Sequence, residues 1–337
     1  MNLFFIVLAT LSLSNPGDEK GAKKVKYKAP EMDKELVYIP QSSFLYKEAD
    51  PNKIGEEYVQ SSVVTTKGFY MYPYEVSNLL YREFLYNLKV WNDSLYPLAL
   101  PDTLVWREKL SYGEPYVEYY FRHPAYSDYP VVGITHQQAK MYCEWLTSKY
   151  MENPKRKYKS VKFRLPTKYE WYAATQLDLR SEKEKIKNTI PNYESGKIFP
   201  WEGFDIYRAD GQMRANCVRV NNSTVVREYD TIYKTDGSFE TKLKLVSYPQ
   251  IDQGIDFSSV GYDIIAPAKS YWPNEAGIYN LGGNVEEMVE EYGITKGGSW
   301  YDTGYFLRNE VIETYKPENE ATSQRGFRFV MEITEDK

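Results

Sequence analysis

Residues 279–329 constrain this chain more than any other stretch: they read YNLGGNVEEM, then KGGSW, then RGFRF. Glycine lets a backbone bend where a side chain would clash, and so lets carbonyls turn inward. Gly282-Gly283-Asn284 therefore reads as a turn. Two arrangements suit it: a turn held by hydrogen bonds alone, or a loop of hard oxygen atoms around a hard cation.

The rest of the chain must bury such turns, and its composition allows it. At 337 residues and 42% hydrophobic content it suits one large domain or two small ones. Tyrosine is abundant, at 33 residues, with 7 tryptophans. A tyrosine buries its ring and keeps a polar end, so such a fold can be rich in loops tied by side-chain hydrogen bonds. The net charge of −5 argues against a nucleic-acid footprint. The cysteines, Cys143 and Cys217, lie in no metal-binding spacing and read as buried thiols, with a single disulfide left open.

Leu3 to Leu13 is an apolar run of signal-peptide length, too short to span a bilayer, and Ser12-Leu13-Ser14 offers a small-x-small cleavage site. We expect residues 1–14 to be a signal peptide and the chain to be exported. Residues 15–35 read as a Lys-rich linker, and the folded domain is expected from Leu36.

Helix starts are legible further on. Ser77 or Asn78 can cap a helix whose face carries Tyr81, Phe84, Leu85 and Leu88. Thr135 with Gln138 forms a capping box ahead of a stripe of Ala139, Tyr142, Cys143, Leu146 and Tyr150. Thr167 with Glu170 forms a second box. Two stretches read as insertions, 91–122 and 225–257; the latter carries Asp236-Gly237 between alternating runs, a hairpin signal.

Five motifs follow one another in an order that resembles the formylglycine-generating enzyme family, the sulfatase-modifying-factor domain: LVYIP, FYMYPYEVSN, RLPTKYEW, the GGN loop, and GGSW with RGFRF. The resemblance spans about 36–332. It implies a single α+β domain over 36–333, loop-rich and with limited regular secondary structure on a C-type-lectin-like core. The family enzyme oxidises a cysteine in its substrate through two of its own cysteines, placed just after GGSW and able to hold copper. The matching positions here are Asp302 and Leu307, so we expect no catalysis and neither copper nor iron. His123 and His136 could join a carboxylate around iron, but ordinary surface or core histidines are the better reading. Phe329 stands where the family often has a cysteine, so the family's bridge to the region of Cys143 is ruled out.

Carried over by position, the family's calcium ligands would be the side chains of Asn280 and Glu287 with the carbonyls of Gly283 and Val285. A second calcium would use Asn216 with the carbonyls of Cys217 and Tyr262, although Val260 replaces its usual acidic residue. Arg328 reads as a structural arginine serving loop carbonyls. The first insertion, ALPDTLVWREKL then EPYVEYYFRHPAYSDYPVVG, resembles gliding-motility lipoproteins of Bacteroidetes, the J type more than the K type. That likeness implies an assembly role in gliding motility or type IX secretion, in the periplasm or at the outer membrane, with protein partners and no nucleic acid. The rival readings are a superfamily enzyme with a displaced active site and a lectin-like module for glycan or peptide.

Overall fold

A computed structural model describes residues 35–49, 60–109, 113–177, 197–208, 212–218, 225–233, 239–247 and 264–335. The expected opening strand forms as β1 (Val37–Ile39). It leads into an antiparallel ribbon of β2 (Ser42–Glu48) and β3 (Gln60–Thr66), then into β4 (Phe69–Met71), which returns to pair with β1. Helix α1 (Asn78–Trp91) starts on Ser77, whose hydroxyl accepts from the Leu80 N–H. The first insertion folds into short helical pieces, among them α2 (Trp106–Lys109) and α3 (Glu114–Tyr119).

Both capping boxes form. Thr135 and Gln138 open α4 (His136–Glu152), and Thr167 and Glu170 open α5 (Lys168–Gln176). Between them β5 (Ser160–Arg164) joins the first sheet. The second insertion gives a hairpin, β6 (Val225–Tyr233) with β7 (Phe239–Ser247), on either side of Asp236-Gly237. A second sheet then gathers β8 (Glu286–Met288), β9 (Ile294–Lys296), β10 (Glu313–Thr314) and β11 (Arg325–Gly326) in the order β10-β9-β8-β11. The last strand, β12 (Val330–Glu335), runs between β4 and β5, so the first sheet reads β1-β4-β12-β5 and joins the two ends of the domain. The fold is α+β and loop-rich.

The tyrosines do what their abundance suggests. Tyr81, Tyr120 and Tyr142 are almost wholly buried. Tyr81 stacks on Tyr142 at 5.9 Å, and its hydroxyl donates to the Ala99 carbonyl at 2.9 Å. The faces of α1 and α4 predicted from spacing meet here, with Phe327 and Phe329 closing the same core. Ring burial supplies the apolar contact, and the hydroxyl satisfies a carbonyl that would otherwise be stranded.

The first insertion is only partly a surface feature. Trp106 and Tyr120 are buried against Val132 and Trp300, and the Tyr120 hydroxyl donates to the Pro130 carbonyl at 2.6 Å. Residues 1–34, which hold the expected signal peptide and most of the linker, lie outside the described residues. Among the described residues no helix is long and apolar enough to cross a membrane.

Replacing Thr135 with alanine should remove one cap of α4 and cost about 0.5–2 kcal/mol. Denaturant unfolding checks this, with Thr135→Ser expected to retain most of the stability.

Candidate functional site

The GGN turn forms, and backbone sterics explain its glycines. Gly283 adopts φ +79°, and a Cβ there would lie 2.4 Å from the Asn216 carbonyl oxygen. Gly297 of the KGGSW segment adopts φ +91°, with the Leu281 carbonyl 2.6 Å from where its Cβ would be. These close approaches bring three segments that are far apart in sequence onto one buried carboxylate.

That carboxylate is Glu287, on β8. Arg328 Nε donates to its Oε2 at 2.7 Å, and Arg328 Nη2 donates to its Oε1. The Trp171 indole N–H, from α5, donates to Oε2 at 2.9 Å. Both residues of the ion pair are shut off from solvent, with side-chain exposures of 0% and 1%. Two more guanidinium hydrogens go to the Tyr279 carbonyl at 2.8 Å and the Tyr72 carbonyl at 3.4 Å. Arg328 therefore serves loop carbonyls, as its sequence position suggests, and also neutralises a buried acid.

A second buried acid lies close by. Glu75, from the EVSN motif, is fully enclosed. The Asn280 amide donates to its Oε2 at 3.0 Å, and the Asn284 amide donates to its Oε1 at 2.9 Å. The same two amides donate to the Ala268 and Ala266 carbonyls, each at 3.2 Å. Asn284 Oδ1 accepts in turn from the Ala266 N–H and from the Asn216 amide. Burial pushes the Glu75 carboxyl up to about 8; Arg328 opposes that rise, Glu287 adds to it, and the asparagine hydrogen bonds oppose it. Glu75 lies within the EVSN motif, where its spacing alone marks no role. The signal was a lone acid inside an aromatic run, FYMYPYEV, where a carboxylate needs a partner if it is buried.

Asn280, Gly283, Val285 and Glu287, the set named for calcium, do come together around this turn. As arranged they are not an open cage of oxygens. Glu287 has both oxygens engaged by Arg328 and Trp171, while the Asn280 amide nitrogen, not its oxygen, is held on Glu75 and Ala268. No polar side-chain atom of the set is buried without a partner. A cation placed on Glu287 would face the Arg328 guanidinium, so the donor set does not fit calcium in this arrangement. For the second set, Asn216 donates its amide to the Ile264 carbonyl at 2.7 Å and to Asn284, while Cys217 is buried beside it; Val260 and Tyr262 lie outside the described residues.

The two positions matching the family's thiols have become structural. Asp302 accepts from the Ser299 N–H at 2.9 Å and from the Ser299 hydroxyl, holding the turn after Trp300. Leu307 is buried with Phe199, Trp201, Met213, Ala215 and Cys217. Cys217 thus packs in the same small cluster, and burial, helped by the Asp302 charge, pushes its thiol up to about 12. Burial drives the Cys143 thiol well above its ordinary range as well. Both cysteines are free thiols held in their protonated, unreactive form at neutral pH. The histidines are also taken up structurally: the His136 ring bonds the Val289 carbonyl, and His123 Nδ1 accepts from the Ala125 N–H.

Two further titratable groups, the buried Lys296 and the half-buried Glu313, are placed by strand register. Lys296, opposite Glu287 in the β8–β9 ladder, donates to the Asn309 and Val311 carbonyls at 2.6 and 2.8 Å, and burial lowers it to about 7. Glu313, opposite Thr295, is raised to about 9 by burial, then by Glu286 and Asp302, while Arg325 opposes the rise. Only the strand register brings these residues alongside Glu286 and Glu287, so nothing in their local sequence marks them.

Arg328→Met should leave the buried Glu287 carboxylate without its cation and cost about 3–5 kcal/mol, as breaking a buried pair does. Denaturant unfolding reads the loss, and adding Glu287→Leu to the same chain should recover part of it. Glu75 gives a prediction with a definite sign. Its folded form holds the proton more tightly than the unfolded chain, so its contribution is full below the ordinary carboxylate range and is lost as pH rises toward 8. Glu75→Gln mimics the protonated form. The stability difference, variant minus wild type, should therefore grow in the variant's favour between pH 5 and pH 8; a flat difference would refute the assignment.

The sulfatase-modifying factor enzyme 1-like domain model matches residues 22–333. A comparison with curated proteins finds no match. Solved structures that resemble the chain include PvdO from Pseudomonas aeruginosa, at 15% identity and TM-score 0.48, covering 88% of this chain and 94% of that one. CarF resembles it at 14% identity and TM-score 0.44, covering 88% and 97%. Treponema denticola variable protein 1 does so at 14% and 0.44, covering 88% and 94%. With the motifs in order and the model matched over nearly the whole length, the chain belongs to the sulfatase-modifying factor enzyme 1-like domain family.

Proposed function

We propose that this chain is a non-catalytic member of its family, exported to the cell envelope, where it acts as an assembly component of gliding motility or type IX secretion. One observation carries the non-catalytic part. Leu307 fills an apolar cluster and Asp302 is tied to Ser299, so the place of a soft thiolate pair holds a hydrocarbon and a hard, hydrogen-bonded carboxylate. The two remaining thiols are buried with raised pKa and cannot stand in for it. The assembly part rests on the likeness of residues 99–133 to gliding-motility lipoproteins and on the surface that this region presents.

That surface has an apolar component. Leu98, Leu104 and Tyr119 of the first insertion are exposed, and α1 shows Leu79, Tyr86 and Val90 on the face opposite its buried stripe. The insertion is anchored beneath by Trp106 and Tyr120, so these side chains are offered from a fixed base. In this reading the rigidity comes from the Arg328–Glu287 pair and the Glu75–asparagine network, and calcium is not needed for it.

A photo-crosslinking residue in place of Leu98, expressed in the native host, tests the assembly part. Adducts with envelope secretion or gliding proteins are expected, and envelope fractions yielding none would remove the proposal. For the catalytic alternative, the purified chain is given Cu(I), oxygen and a cysteine-bearing peptide. No aldehyde should form; aldehyde production, or stoichiometric copper or iron in the purified protein, would show an enzyme instead.

A further inference from the structure

Among the described residues β3 has an open edge, and its sequence does nothing to close it. Its one ladder runs to β2 in unbroken register, from Gln60 opposite Glu48 to Thr66 opposite Ser42. On its other side no described backbone group bonds to it. β2 also pairs only with β3 among the described residues; just past its end the Ala49 N–H donates to the Glu310 carbonyl and the Ala49 carbonyl accepts from the Ile312 N–H. β3 reads QSSVVTT, with no charge, no proline and no bulge. Those are the devices by which natural sheets stop a row of open N–H and C=O groups from pairing with another strand.

The ribbon's two faces are unequal. Phe44 and Tyr46 pack on Tyr172 of α5, and Tyr46 also meets Tyr169. On the outer face the Ser43 and Thr65 hydroxyls bond at 2.7 Å, and Leu45 lies opposite Val63. Val63, at the middle of the strand, is 78% exposed, the most of any large hydrophobic residue described. Beside the C-terminal half of β3 a cleft of about 280 Å³ opens, bounded by Val64, Thr66, Lys67, Arg164 and Glu332. A paired strand would lie about 4.8 Å outside β3, the ordinary spacing in a sheet.

We infer that β3 pairs antiparallel with β3 of a second copy of this chain, about a two-fold axis at Val63. Val63 then meets the partner's Val63, Ser62 meets the partner's Val64, Ser61 the partner's Thr65, and Gln60 the partner's Thr66. Every pair is small, neutral or β-branched, the types that stabilise cross-strand contacts. Charge selects a copy over another protein's strand. Across a two-fold axis any charge near the centre would meet its own kind, and this strand has none, although charged residues make up 26% of the chain. Copies that each carry a net charge of −5 repel one another generally, so an uncharged strand is where they can touch. The pairing uses up the open edge in both copies, which closes the assembly at a dimer instead of a fibre.

Sedimentation equilibrium of the purified chain, from micromolar to hundreds of micromolar, tests this. The mass should approach twice 39.5 kDa. Hydrogen exchange at Gln60–Thr66 should slow as concentration rises. Val63→Lys puts two ammonium groups on the axis and should raise the dimer dissociation constant by roughly a hundredfold, since like charges in contact cost several kcal/mol. Because Val63 is exposed, the variant's melting at low concentration should match wild type, which separates lost pairing from lost folding. A wild-type chain that stays monomeric throughout overturns the inference. So does a dimer that persists in both Val63→Lys and Ser61→Lys. Protection of β3 appearing only when envelope extract is added would give the edge to another protein's strand and would also overturn it.

Discussion

The buried pair of Arg328 and Glu287 is the contact on which the rest of this structure depends. It ties the loop before β12 to β8, and through the Trp171 indole it ties both to α5. Through the Tyr72 and Tyr279 carbonyls it also fixes the turn after β4 and the entrance to the GGN loop. A charged pair this deep is favourable only when every donor and acceptor is used, because desolvation of each ion is costly. Here the guanidinium and the carboxylate bond one another and neighbouring backbone or indole groups, so the geometry of five segments is specified at once.

Glu75 and the asparagines extend the same logic. In a loop-rich fold there are few ladders to absorb backbone carbonyls, so side-chain amides take that part. Asn280 and Asn284 each bridge a carboxylate oxygen and a carbonyl, and Asn284 and Asn216 link that group to the segment around Ala266. The loops gain definition from a closed polar network. The region around the GGN turn is held by amide hydrogen bonds and one arginine.

The loss of the thiol pair fits the same picture. A cleft that performs oxidation needs exposed, ionisable sulfur. Here Leu307 has been drawn into an apolar cluster with Cys217, and Asp302 has become the acceptor that closes a turn on Ser299. Both substitutions favour packing over reactivity. Exposed large apolar side chains lie on α1, the first insertion and the outer face of β3, and also at Tyr301 beside Asp302.

Much of the frame was legible in the chain itself. The capping boxes at Thr135 and Thr167, the Ser77 cap, the buried stripes of α1 and α4 and the hairpin around Asp236-Gly237 all follow from local chemistry, because caps and turns are set by residues within a few positions. The motif order likewise carried the family. Sequence alone could not say which acid Arg328 neutralises, that Glu75 faces two asparagines some 200 positions away, or that Lys296 and Glu313 have shifted protonation. Those properties depend on strand register and on close backbone approach at Gly283 and Gly297, which are set only when distant segments pack. The residues were fixed by the chain; their partners, and hence their charges, were decided by the tertiary structure, because a buried group's ionisation depends on what surrounds it.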